Sequence, residues 1–460
     1  MKKQRVAVVG AGIGGITAAR TLVDKGHDVV VFEKDARIGG KCMTRTFHGQ
    51  SYDLGALSVS PEFRTIIKFA RRYGAALQER YPFWVLQPDG KQSRMRDEYW
   101  KPGETTRLLG EMGRYLFHAS KFAMLHSRPR TFVNLPGQYQ LPFREFCERY
   151  GMATIASWME LPVTSFGYGD LGTIKTWYVL DYISPLNFLG LSVLLIRLGR
   201  TPVHQLLRGY GDLVERIAAG RDSKGSGEVK PLDVRLGARV RRIDRSSQGV
   251  TIETDAEGSP PDRFDAVVLS APLWDLSGCL ELGPEEKALV EDSRQRVYTV
   301  VACELEGVPH DNHLLRFNAR ESRFGHVALI ERNLHGAADK LSVCYIPQLQ
   351  SMSQEATIAQ LRADLEGLGV SLLSVVDFHQ WSYFPHFLSG DSYKILEGIQ
   401  GRNCTYYVGA MTKFELAERV ARQAEALIDD MFEGERPEEW FTTVKNWAYF
   451  YIKSVSADGG

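Results

Sequence analysis

An apolar strand, Val6-Ala7-Val8-Val9, runs directly into Gly10-Ala11-Gly12-Ile13-Gly14-Gly15. A helical pattern of Ile16, Ala19, Leu22 and Val23 then continues to Gly26. In this strand–turn–helix unit each glycine has a separate task. Gly10 permits a tight turn, Gly12 lets backbone N–H groups approach a pyrophosphate, and Gly15 lets helix and strand pack closely. The helix N-terminus, beginning near Gly14, adds unpaired N–H donors and the positive end of a dipole. A second strand, Asp28 to Phe32, ends at Glu33 and Lys34, and a carboxylate there can bind the ribose hydroxyls of an adenosine. The same acid opposes a 2′-phosphate. The unit predicts a dinucleotide site other than one for NADP.

Composition excludes several other partners. The 460 residues are 44% hydrophobic and 24% charged, and Lys+Arg equals Asp+Glu at 56 each, so no net basic field attracts nucleic acid or an anionic surface. The 6 cysteines include no Cys-x-x-Cys pair, which suggests buried thiols in a reducing, cytoplasmic setting and no structural metal. The N-terminal Met1-Lys2-Lys3 does not read as a signal peptide, because glycines interrupt the apolar segment behind it. The longest apolar run, Leu186 to Ile196, is too short to span a bilayer. It predicts a buried or channel-lining helix, or an apolar surface allowing transient membrane contact.

The chain alternates in character. Residues 1–75, 203–280 and 396–435 bear βα signals of one discontinuous nucleotide-binding domain, and 76–202 and 281–395 read as a mixed α+β substrate domain with a helical portion. Residues 436–460 form a C-terminal extension. Helices are expected over 105–125, 142–159, 172–199 and 354–365, strands over 234–236, 238–243, 249–254, 265–272 and 405–409, and a last helix over 412–432. Thr412-Lys413-Phe414-Glu415 has capping-box form, which assigns Glu415 as a cap.

Arg37-Ile38-Gly39-Gly40-Lys41 follows the second strand, and Tyr52-Asp53-Leu54-Gly55-Ala56 comes next. With the opening glycines, the 234–254 and 264–272 strands and the helix after Gly409, these segments resemble the amine oxidase and phytoene desaturase superfamily of FAD enzymes. The resemblance implies an α/β fold with a Rossmann-like, glutathione-reductase-type FAD-binding domain interleaved with the substrate domain. It implies that Gly39, Gly40 and Lys41 lie by the FAD phosphates and Val240 near adenine. It also implies that Gly55, Ala56 and Leu57 lie by the isoalloxazine, with Gly409 and Ala410 in the C-terminal flavin motif. Ala410 stands where the superfamily commonly has an acid. No residue makes a persuasive covalent ligand, so the FAD is expected to be noncovalent.

Stretches outside those motifs are similar to bacterial polyunsaturated fatty acid double-bond isomerases. They include Leu141-Pro142-Phe143, Thr164-Ser165-Phe166-Gly167-Tyr168-Gly169, Gly325-His326-Val327 and Trp381-Ser382-Tyr383-Phe384-Pro385-His386. This resemblance implies an isomerase that moves carbon–carbon double bonds in a hydrophobic or carrier-bound unsaturated chain, by reversible hydride transfer at flavin N5. Phe166, Tyr168, Trp381, Tyr383 and Phe384 either line the substrate tunnel or pack the core. Arg80 falls roughly where those isomerases hold a carboxylate. His326 and His386 read as hydrogen-bonded structural residues. A flavin oxidase or desaturase is the alternative, and a noncatalytic FAD-binding protein is a third.

Overall fold

The computed structural model describes residues 3–80, 83–94, 97–98, 105–126, 132–190, 203–221, 229–256, 260–308, 312–332 and 341–432. Met1 and Lys2, the apolar run beyond residue 190 and the 436–460 extension lie outside the described residues.

Five parallel strands form the nucleotide-side sheet, in the order Thr405–Tyr407, Ala266–Leu269, Arg5–Val9, Asp28–Phe32 and Asp233–Arg235. Val6 and Val8 pack beneath helices Ile13–Asp24 and Ala417–Met431, and Ala7 and Val9 face the opposite layer with Ile243 and Ile252. Burial on both faces explains why the strands Asp28–Phe32 and Ala266–Leu269 read as near-continuous apolar runs. Gly15 allows the tight layer spacing: a Cβ there would sit 1.9 Å from the Gly10 carbonyl oxygen. Val240–Ser246, Gly249–Thr254 and Asp262–Phe264 form an antiparallel sheet across that opposite layer.

A separate seven-stranded sheet is ordered Ser371–Phe387, Ser293–Glu306, Leu341–Gln348, Leu329–Glu331, Asn312–Leu315, Phe83–Leu86 and Gln92–Arg94. It is antiparallel except where Asn312–Leu315 meets Phe83–Leu86. Helices Thr105–Leu125, Phe143–Arg149, Ala153–Ser165 and Thr176–Tyr182, with helical residues 185–190, make up the helical portion among the described residues.

Three expected elements need correction. The 142–159 helix is two helices, because Gly151 takes a left-handed φ of 64° between them. The 172–199 helix starts only at Thr176 and is broken after Tyr182, ahead of Pro185; residues 185–190 are helical again, as far as the described residues run. The last helix begins at Ala417 rather than 412. Lys413, at φ −144° and ψ −78°, takes the chain out of helical geometry after the short turn Ala410–Thr412.

Candidate active site

A cavity of about 630 Å³ lies between the two main sheets. The carboxyl ends of parallel strands line one side, through Val9, Gly10, Phe32, Glu33 and Ser270, which is where open α/β sheets bind ligands. Tyr298, Leu314, Trp381 and Tyr383 of the antiparallel sheet line the other.

Two glycine segments meet on the first side. Gly12 and Gly39 form a parallel bridge, and the Gly39 N–H donates to the Ala11 carbonyl at 2.8 Å. Gly39 has a φ of 105°, a conformation that favours glycine, so Gly39 serves backbone-to-backbone closure as well as the cavity wall. A Cβ on Gly12 would meet nothing within 4 Å and would enter open cavity. The first-turn N–H groups of helix Ile13–Asp24 have no intrahelical partner and start at this point. The Glu33 carboxylate accepts the Ala11 N–H at 2.7 Å and the Asp35 N–H at 2.9 Å, which fixes it at the cavity edge.

Of the residues expected to hold a cofactor, Gly10, Gly12, Gly14, Glu33, Lys34, Gly39, Gly40 and Lys41 line this cavity. So do Gly55, Ala56, Leu57, Val240, Gly409 and Ala410. Gly15 does not, since it is spent on packing against Gly10.

Phe166, Tyr168, Trp381 and Tyr383 line the cavity together with Tyr298, giving it a mainly aromatic lobe. Tyr298 stacks on Tyr383 with ring centroids 4.9 Å apart, and Tyr383 on Tyr168 at 5.8 Å. Burial pushes the phenols of Tyr168, Tyr298 and Tyr383 well above their ordinary range, so all three stay protonated. Burial likewise pushes the Cys42 thiol up, which leaves no thiolate nucleophile at that wall. The Trp381 indole N–H donates to the Leu54 carbonyl at 2.7 Å and holds that ring in place.

Phe384 and Arg80 do not line the cavity. Phe384 is fully buried in a ring cluster with Tyr168, Tyr178 and Phe414. Phe384 takes a left-handed φ of 48° where the pairing with Ser293–Glu306 shifts register, and its ring packs in the core and not on the cavity. Arg80 is buried beside Glu331, and its guanidinium also donates to Ser58 Oγ at 2.7 Å and to the Leu57 carbonyl at 3.0 Å. Its charge is therefore already matched, and a substrate carboxylate has no access to it.

Glu415 is a cavity residue whose position local pattern concealed. It is not a cap: its carboxylate accepts from the Lys41 ammonium at 2.6 Å and from the Phe384 N–H at 3.1 Å, and it lines the cavity. Trp158, Met159, Asn187 and Phe188 of the helical portion also line the cavity. Nothing in their local pattern distinguishes them from core residues. His326 bonds Asp364 at 2.7 Å away from the cavity wall. His386 bonds the Phe384 carbonyl at 2.7 Å, and burial lowers its pKa to about 4, so it stays neutral.

Comparisons with known proteins bear on this geometry. A family model for flavin containing amine oxidoreductases matches residues 13–370. The chain is 34% identical over 104 residues to a putrescine oxidase of Kocuria rosea, covering 22% of this chain and 22% of that protein. It is 26% identical over 295 residues to polyamine oxidase 6 of Oryza sativa subsp. japonica, covering 59% of this chain and 53% of that protein. The chain thus spans about half or less of these curated relatives. Among solved structures, a CLA-producing fatty acid isomerase from P. acnes superimposes with a TM-score of 0.82. That match has 22% identity and covers 94% of this chain and 100% of the other. A putrescine oxidase bound to putrescine superimposes with a TM-score of 0.68 at 17% identity, covering 94% of this chain and 99% of the other. At these identities the likeness to solved structures concerns the fold.

Proposed function

The chain belongs to the flavin-containing amine oxidoreductase family, whose members are flavoenzymes, and from that premise we propose that it is an FAD-dependent isomerase of carbon–carbon double bonds. Its substrate is an unsaturated fatty-acid-like or polyene chain, and the reaction involves no net oxidation. The residues fit noncovalent FAD. The open Cβ position of Gly12 leaves room for a diphosphate at the helix N-terminus. Glu33 stands at the end of the second strand for the ribose, and Ala238, Val240 and Leu276 offer an apolar slot for adenine. Gly55, Ala56 and Leu57 border the aromatic lobe side.

FAD, when bound, supplies N5, an atom that can take a hydride from an activated methylene between double bonds and return it to another carbon. The protein's own part is alignment and exclusion of water. Tyr168, Tyr298, Tyr383 and Phe166 present flat, uncharged walls to an extended hydrocarbon, and their buried phenols neither release nor take up protons. One observation carries the reading: the Glu415 carboxylate beside this lobe is already paired with Lys41. A substrate ammonium would have to compete with Lys41 for it, whereas the uncharged hydrocarbon segment of an unsaturated chain needs no counter-charge at this lobe.

The oxidase reading draws on the curated relatives, which are amine oxidases, and aromatic faces also attract ammonium groups. Isotope tracing separates the two. A substrate deuterated at the methylene between its double bonds is expected to yield a product of equal mass with deuterium on a different carbon. Loss of the label from the organic product, with peroxide formed, supports the oxidase.

A further inference from the structure

The helix Thr105–Leu125 presents an outer face unlike the rest of the surface. Leu109, Phe117 and Met124 are 56%, 65% and 72% exposed. With half-buried Leu116 and small Gly113 and Ser120, they follow one stripe along the helix. Every exposed charged side chain on the helix is basic: Arg107, Arg114 and Lys121 recur two turns apart in a second row beside the apolar stripe. The one acid, Glu111, is buried, where it accepts the N–H groups of Thr154 and Ile155 and pairs with the Arg107 guanidinium at 2.9 Å. The opposite face anchors the helix through Leu108, Met112, Tyr115, Ala119 and Phe122.

This helix abuts the cavity wall. Tyr115 donates to the Ile183 carbonyl at 2.8 Å and packs its ring 4.3 Å from that of Phe188. Ile183, Asn187 and Phe188 line the cavity, while Leu186 and Leu189, in helical residues 185–190 with Asn187 and Phe188, are exposed. One turn of helix therefore has cavity on one side and an apolar outer surface on the other.

We infer that helix Thr105–Leu125 docks on a bilayer surface containing anionic phospholipid, with Leu109, Phe117 and Met124 entering the acyl boundary. An apolar stripe flanked by cations suits such an interface: apolar burial supplies depth, and the basic row meets lipid phosphates. Arg107 is matched by Glu111, so Arg114 and Lys121 carry the net positive charge beside the stripe, a local feature against the chain's overall charge balance. The inference goes beyond the proposed reaction and does not depend on it, because docking is measured without turnover.

The test is co-sedimentation of the full-length holoprotein with phosphatidylcholine vesicles, with or without phosphatidylserine at roughly one part in three. Wild type is expected to bind the anionic vesicles and to dissociate at about 0.5 M salt more than at 0.1 M. Phe117→Gln with Met124→Gln, both outside the cavity wall, is expected to weaken partition by about tenfold or more. Lys121→Gln is expected to weaken it about fivefold, on anionic vesicles only. Unchanged circular dichroism and flavin absorbance show that the variants are folded. Absence of wild-type binding, or equal binding by both variants, overturns the inference. So does a wild-type dimer that the Phe117→Gln, Met124→Gln variant splits, since the stripe would then be covered by a second copy.

Discussion

The Lys41 ammonium donates to the Glu415 carboxylate over 2.6 Å, joining residues 374 positions apart at the wall of the cavity. The pair is partly shielded, with the Lys41 and Glu415 side chains 30% and 11% exposed. Removing one partner leaves a partly buried charge without its counter-ion. Lys41→Met is expected to lower unfolding free energy by about 2 kcal/mol. Lys41→Met with Glu415→Gln should recover about 1 kcal/mol of that loss. Denaturant unfolding of the full double-mutant cycle checks this; additive losses would show that the pair is uncoupled.

Gly12 and Gly15 look alike in the motif and should behave oppositely. Gly12→Val places its side chain in open cavity, where nothing lies within 4 Å of the Cβ position. The protein is expected to fold and purify without flavin. Gly15→Ala drives a Cβ to 1.9 Å from the Gly10 carbonyl, and should lower stability by about 3 kcal/mol. Absorbance at the flavin band and a melting curve for each variant distinguish the two losses.

Asp53 makes stability depend on pH in a defined direction. Burial raises its pKa to about 7, against hydrogen bonds from Thr44 Oγ1 at 2.5 Å and the Tyr210 N–H at 2.9 Å, which lower it. An acid whose folded pKa exceeds its unfolded one holds its proton longer when folded. Stability is therefore lost as pH rises from about 4 to about 7. Asp53→Asn keeps an acceptor for both bonds and removes the titration. Its melting temperature should fall less than that of wild type across this window, and parallel curves would contradict the assignment.

Tyr383 separates a wall from a proton shuttle. Burial keeps its phenol protonated. Tyr383→Phe is expected to retain kcat/KM within about threefold, because the flat wall remains. A general acid or base would lose about a hundredfold or more. Tyr383→Ala, which opens the lobe, should lose at least about tenfold.

Local pattern revealed the nucleotide side well, for a physical reason. Val6 to Gly15 and Asp28 to Glu33 form contiguous units whose geometry is set by residues a few positions apart. The aromatic lobe was partly legible. Tyr383 faces the cavity and Phe384 the core, but the left-handed φ of 48° at Phe384 and the register shift against Ser293–Glu306 that accompany this leave no local pattern to read. Glu415 was misread because Thr412 to Glu415 fits a helix start. The chain instead leaves helical geometry at Lys413, and the Thr412 hydroxyl donates to the Gly409 carbonyl at 2.7 Å. Arg80 reads as a substrate residue only through the resemblance, and its partner, Glu331, lies on a distant strand. Ion pairs made across the fold leave no spacing to read.

The most direct measurement is anaerobic turnover. Holoprotein is mixed with a long chain whose double bonds are separated by one methylene, with no oxygen or electron acceptor present. The isomerase reading expects product in many-fold excess over enzyme, equal in mass to the substrate and with conjugated double bonds. A single stoichiometric turnover that bleaches the flavin and resumes only when oxygen is admitted would contradict it.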